Sequence, residues 1–398
     1  MKLSLGLGRD HTRIFVGMLF NEGSLGIYQT LWPLYIASLG AAPEQIGLVI
    51  GLLGAARLVA LLPSGMLGDR VPARTLIVGG RLAVAVGTLL LGLAQAWWQL
   101  IPGVIIIGVG TITFPALSNA VAELAHDSHE RTRAFTLIYT IGPSAAWFVT
   151  PTIGGLIAEH VSLRALLFVA SGLAAICAAI FATIAAGAAT TQEGPPVTYR
   201  STLAERPVRQ VLLLQFVTLF VLTMGVTLAP NFLQDVHAIS RERIGWLGSC
   251  AAVGSALLGL TISRVARFRR PLTGIALATT AVGGTLLLLL VGHSFAWFVF
   301  AYLLRGGYMV AWSTYYAALG EVTPNRYLAR VYALAELLAA AGLMLAPFAA
   351  GWLYEREPRA PLLVALLAIP VLLLAIVAVG RRLRVAQPAE PTLAGEQA

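Results

Sequence analysis

Ionisable side chains set inside long apolar runs carry the chemistry of this chain. Glu22, Arg57, Arg305 and Glu336 each interrupt a stretch that is otherwise almost wholly hydrophobic. An ionisable group at bilayer depth costs at least about 2.5 kcal/mol on insertion scales, so each needs a partner or a watery path. Glu22 follows Asn21, and Gln29 falls two turns later on the same helical face. Burial disfavours the charged form of a carboxylate, which suits Glu22 to taking up and releasing a proton; a hydrogen-bonded structural acid is the alternative. Glu336 is a second proton candidate. Arg57 stands 12 residues from both Gln45 and Asp69, roughly 18 Å from either at 1.5 Å per residue. Its side chain cannot span that distance, so it serves either a structural ion pair or direct substrate or proton work. Arg81 lies closer to one membrane edge and is expected to snorkel there.

A second constellation joins charge to aromatic surface. At 100° per residue, Arg305, Tyr308, Trp312, Tyr315 and Tyr316 fall within an arc of about 100°. Such a stripe is either packing or a wall for a ligand with both a charge and a flat apolar body. His126 and His129 with Asp127 mimic metal-ligand spacing, but their polar setting reads as a solvated loop. The chain carries no nucleotide loop, catalytic triad or metal cluster, so neither enzymatic activity nor a cofactor is expected.

The elements that hold these groups follow from composition. Of 398 residues, 58% are hydrophobic and 11% charged, against about 25% charged in a soluble domain. Apolar runs long enough to cross a ~30 Å hydrocarbon core lie near 14–39, 45–68, 75–96, 98–124, 134–159, 163–189, 210–236, 243–265, 272–292, 295–320, 328–354 and 361–380. We refer to them as the first to twelfth spans. Backbone polar groups must be paired within lipid, so the spans are helices, and the fold class is an all-α membrane protein of twelve transmembrane helices. Under this topology 19 of the 27 basic residues share one side, which makes that side, with both termini, cytoplasmic. The net charge of +9 therefore reports topology and contact with membrane lipids rather than nucleic acid. No removable signal peptide is expected, because no cleavage site follows the polar opening at 1–13.

The chain also repeats itself. Glu44-Gln45-Ile46-Gly47 returns as Glu242-Arg243-Ile244-Gly245, Thr30 and Pro33 as Thr227 and Pro230, Pro151 and Gly155 as Pro347 and Gly351, and Gly108 and Glu123 as Gly306 and Glu321, all at offsets of 196 to 198. One unit was duplicated in register, the pattern of a transporter built from two parallel membrane halves. The expected divisions are a six-helix bundle over 1–189, a cytoplasmic linker over 190–208, a second bundle over 209–384 and a disordered tail over 385–398.

Between the second and third spans, Gly65-Met66-Leu67-Gly68-Asp69-Arg70-Val71-Pro72-Ala73-Arg74 resembles the loop signature of the major facilitator superfamily. With twelve spans, a central linker and duplicated halves, the resemblance covers essentially the whole chain. It implies two pseudo-symmetric six-helix bundles and a cytoplasmic gate at Gly65, Asp69, Arg70 and Arg74, with Glu123 as partner for Arg74. The second copy has Ser263 where the acid would stand. The resemblance also implies that the second and eleventh spans are neighbours, making Glu336 a partner for Arg57. It implies further that the first, fourth, seventh and tenth spans line a cavity, where Tyr28, Gln29, Trp32, Thr227 and Asn231 face Arg305, Tyr308, Trp312 and Tyr315. Thr150-Pro151-Thr152-Ile153-Gly154-Gly155 is similar to the tail of a fifth-span motif of drug/proton antiporters, with Thr150 in place of its first glycine. Val104 stands where their fourth-span arginine would fall.

The function expected is movement of a small organic solute across the inner membrane by alternating access, as proton-coupled efflux by a monomer. Uptake of a nutrient or organic anion is the near alternative, and a lipid scramblase or receptor-like protein the alternative of another class.

Overall fold

The computed structural model describes residues 8–68, 71–111, 113–125, 128–184, 205–265, 270–324 and 327–386. The described residues form helices and no strands. Ten stretches are long and apolar enough to cross a membrane. The first span completes the dozen although Asp10, Arg13, Asn21 and Glu22 dilute its hydrophobicity, as does the fourth, whose apolar portion is split. The seventh span already begins at Arg206, inside the stretch expected to be linker, and the twelfth runs to Ala386, past the expected boundary. The rest of the tail lies outside the described residues.

Four spans are broken. The first runs Arg9–Gln29 and resumes at Trp32–Ser38, and the seventh runs Arg206–Val226 and resumes at Ala229–Asp235. Each second piece has a proline in its first turn, Pro33 and Pro230. Proline there lacks only an N–H that a new helix start leaves unpaired anyway, so it favours restarting a helix over continuing one. The fourth span divides into Leu100–Gly110 and Thr113–Glu123, the tenth into Phe295–Arg305 and Gly307–Val322. These are the same four spans the duplication relates. The fifth span, Ser128–His160, instead carries a wide π-type turn at Leu137–Ile141.

Chain order puts residue 8 and residue 386 at one end of the molecule, called here the terminus end. At the opposite, far end a single buried cluster runs through both halves, from Ile27, Leu31 and Tyr35 to Leu228, Phe232 and Tyr354. At the terminus end the buried residues divide by half. Ile14, Val121, Ile138 and Phe181 form one cluster, while Val211, Ile275, Leu319 and Val331 form another. The halves therefore share a core at the far end and hold separate cores at the terminus end.

Two helix pairs make the shared part. The second span (Pro43–Gly68) packs on the eleventh (Leu328–Arg356), and the fifth on the eighth (Arg241–Arg264). The approach is backbone to backbone. A methyl group built on Gly155 would stand 2.7 Å from the Glu242 carbonyl oxygen and 3.0 Å from the Gly245 Cα. One on Gly47 would collide with the Pro347 carbonyl. In lipid, where the surroundings are as apolar as leucine, such small-residue contacts allow the close dispersion packing that holds helices together.

Candidate functional site at mid-depth

Two polar sets occupy the middle of the molecule. The first belongs to the N-terminal half. The Asn21 amide donates to Glu22 Oε1 at 2.8 Å, and the Trp147 indole N–H donates to Glu22 Oε2 at 2.9 Å. Arg81 donates to Asn21 Oδ1 and, at 3.3 Å, to the Gly110 carbonyl beside the break in the fourth span. Asn21 thus links the Arg81 guanidinium to the Glu22 carboxylate, using its acceptor for one and its donor for the other. Glu22 stays half-buried.

Arg81 corrects the sequence reading. Far from snorkelling to an edge, it is 5% exposed. Its neighbour Gly80 explains why: a side chain there would strike Thr113 of the fourth span, so this face of the third span is pressed inward and carries the arginine with it. Paired glycines beside an intramembrane charge, Gly79-Gly80-Arg81, were the available signal.

The second set joins the halves. Arg57 Nη2 meets Glu336 Oε2 at 2.6 Å, as the neighbouring of the second and eleventh spans suggested. Tyr316 donates to the other oxygen of Glu336, and Trp312 hydrogen-bonds Tyr316. The arginine and the acid remain 26% and 32% accessible. On the tenth span, the Tyr308 hydroxyl shares a hydrogen bond of 2.9 Å with Thr223, and the Tyr308 and Trp312 rings lie 6.2 Å apart at 57°. The Arg305 guanidinium sits 5.0 Å above the Tyr302 ring. Among the described residues no carboxylate comes within ion-pair distance of it. A cation–π contact contributes roughly 0.5–2 kcal/mol, short of the ~2.5 kcal/mol or more that such a charge costs at depth.

The expected cavity wall is only partly assembled. Gln29 is exposed and Arg305, Tyr308 and Trp312 are half-buried. Tyr28, Trp32 and Asn231 are 4%, 6% and 3% exposed, packed into the shared far-end core rather than lining an open surface. Tyr315 is a correction. It is fully buried in the core of the C-terminal half, bonded to Thr218 at 2.7 Å and to the Leu214 carbonyl at 3.3 Å. The tenth-span stripe assumed one continuous helix, and the break at Gly306 separates Arg305 from the aromatics that follow.

Asp69, Arg70, His126 and Asp127 lie outside the described residues. Gly65 falls in the last turns of the second span, Arg74 donates to the Ala182 carbonyl at the end of the sixth span, and Glu123 is exposed at the end of the fourth. At the far end polar contacts cross between halves. The Thr152 and Ser249 hydroxyls lie 2.8 Å apart, Glu159 accepts from the Arg241 backbone N–H at 3.0 Å, and His160 stands 4.0 Å from Glu242. Among the described residues no cluster of His, Cys, Asp and Glu could hold a metal ion.

Two duplicated helical bundles, closed on each other at one end and carrying charged groups at mid-depth, are the architecture of a membrane transporter. The chain belongs to the Major Facilitator Superfamily, whose family model matches residues 14–210 and again 211–398. It is similar to the inner membrane transport protein YajR of Escherichia coli (strain K12), 29% identical over 162 residues, which are 40% of this chain and 35% of that protein. It is also similar to the multidrug resistance protein MdtG of Salmonella paratyphi A (strain ATCC 9150 / SARB42), 26% identical over 174 residues, 42% of this chain and 43% of that one. The chain thus spans less than half the length of these curated relatives. Among solved structures it superposes on the nucleoside transporter NupG with a TM-score of 0.80 at 13% identity, covering 93% of this chain and 99% of that one. It also superposes on an inward-facing bacterial homologue of the human lysosomal transporter Spinster, with a TM-score of 0.68 at 18% identity, covering 94% and 92%. At these identities the structural likeness concerns the fold.

Proposed function

We propose that this transporter exports a small amphipathic organic solute across the inner membrane in exchange for protons. The observation that carries the reading is Glu22: a half-buried carboxylate at mid-depth, clamped by Asn21 and Trp147, with a buried arginine one residue behind it. Protonation would cancel its charge and release Arg81 from an electrostatic partner. That is a local change able to favour one arrangement of the halves over the other, which is all a coupling ion can do. The Arg57–Glu336 pair spans the halves and would be the contact that rearranges.

The excess of basic loops makes the terminus end cytoplasmic. The crevice between the separate cores then opens inward, and solute enters among Gln29, Arg305, Tyr308 and Trp312. When the far end parts, Tyr28, Trp32 and Asn231 become accessible and complete the site. Gly65, Asp69, Arg70, Arg74 and Glu123 would close the cytoplasmic side of a monomer embedded in lipid. The multidrug relative named above lends the efflux direction its support, and solute uptake is the competing direction.

The test is Glu22→Gln in proteoliposomes. It should abolish proton-driven accumulation while leaving energy-independent exchange of solute in place. Undiminished proton-driven transport would remove Glu22 from the coupling role.

A further inference from the structure

The formal charges held away from the ends of the described spans do not cancel. Arg57 is matched by Glu336 and Arg81 reaches Glu22 through Asn21. Arg305 has the face of Tyr302 and no acid. Among the described residues one positive charge at mid-depth is therefore left unneutralised by any side chain, although such charges in membrane proteins are ordinarily paired or turned to a ligand.

The surroundings of Arg305 say which kind of ligand would fit. Tyr308 and Trp312, four residues apart, share one side of the second piece of the tenth span, and Arg305 ends the first piece just before the break at Gly306. The other sides are occupied. Gly306 lies against Gly254 and Ser255 of the eighth span, and Gly307 against Ala278 and Ala281 of the ninth. The Tyr308 and Trp312 rings meet at 57° and remain partly accessible, forming an angled apolar wall that begins three residues after Arg305. Tyr308 also lies within electrostatic reach of Arg57 as well as Arg305, so an anion against this ring is attracted by both cations. A guanidinium presents a planar fork matched to a planar acid group.

Resting on the transport reading above and naming its substrate class, we infer that Arg305 is the anchor for an organic monoanion, whose acid group pairs with the guanidinium while its flat apolar body lies on Tyr308 and Trp312. The bound anion makes the mid-depth charge neutral. It also offers Arg57 a second partner besides Glu336, so occupancy weakens the pair that ties the second span to the eleventh and eases rearrangement of the halves.

The experiment compares three probes of one shape on the purified full chain in nanodiscs: 1-naphthoate, 1-naphthalenemethanol and 1-naphthylmethylammonium. Binding is read by thermal shift and by counterflow in proteoliposomes. Naphthoate should bind roughly tenfold or more tightly than either analogue. R305Q should remove that preference with little effect on the alcohol, and R305K should retain part of it. Without ligand, R305Q should melt no lower than the unsubstituted protein, because it removes an unmatched charge. A clear drop in that melting temperature would mean Arg305 already has a protein partner and would overturn the inference. Preference for the ammonium probe, equal losses for all three in R305Q, absence of naphthoate binding, or protection by chloride matching that by naphthoate would each overturn it too. Glu22→Gln keeps the two readings apart: proton-driven flux surviving in E22Q while R305Q still abolishes naphthoate preference would remove Glu22 from the coupling role and leave the anion site standing.

Discussion

The Arg57 guanidinium and the Glu336 carboxylate, 2.6 Å apart across the two halves, are the residues whose removal should be most informative one at a time. Deleting one member of a buried pair leaves the other charged and alone, at about 3–5 kcal/mol for full burial. Each partner here keeps a quarter to a third of its surface, so we expect roughly 1–3 kcal/mol for Arg57→Ala or Glu336→Ala. The double substitution should cost less than the sum, measured as a double-mutant cycle of thermal midpoints in nanodiscs; strictly additive losses would show that the pair is not coupled. This contact was partly legible from sequence: an arginine 12 residues from either polar flank needs a partner or a watery path, and the family resemblance put Glu336 on a neighbouring span. Arg81 was not. Its distance from the membrane edge permits snorkelling, and the glycines at 79 and 80 hint at close packing without naming the partner: it is Thr113 that Gly80 meets, while Arg81 turns to Asn21. Tyr315 was misjudged for a related reason, since helical phase alone does not say whether a tyrosine faces a cavity or the Thr218 hydroxyl of its own bundle.

For the helices, length and apolarity carried the assignment of twelve spans, and the prolines at 33 and 230 with the glycines at 108 and 306 mark where four of them break or bend. What the sequence could not reveal was the use made of the glycines in the second and fifth spans. Gly47 and Gly155 do not relieve strain in their own helices; they admit the backbone of a partner helix. Gly155→Val should therefore leave the fifth span helical yet force the fifth and eighth spans apart, since the obstructing atoms are the Glu242 carbonyl and the Gly245 Cα rather than a movable side-chain tip. The expected outcome is a shift toward the state open at the far end. It would be read as faster labelling of a cysteine at Ser249 by an impermeant maleimide, in a background lacking Cys177 and Cys250. Unchanged labelling would mean that the seal does not depend on this approach.

On the scale of the whole molecule, one shared core at the far end and two separate cores at the terminus end make the halves a hinge closed on one side. The Thr152 and Ser249 hydroxyls lie 2.8 Å apart across that closed side, a separation that sulfur atoms bonded at about 2.05 Å can replace. Oxidising the Thr152→Cys/Ser249→Cys variant should stop transport and reduction should restore it; full transport through the oxidised protein would exclude opening at the far end. The duplication gives this seam a further meaning. Gly47 touches Pro347 and Gly351, and Gly245 touches Pro151 and Gly155, positions that correspond between the two copies of the repeat. Each half thus presents the same two surfaces, and each surface of one meets the other surface of its sibling, the arrangement of a closed two-fold dimer. A single ancestral half already owned both sides of the joint. Fusion into one chain had no need to invent an interface, and it left the two copies free to diverge, one keeping the acid at Asp69 while the other carries Ser263.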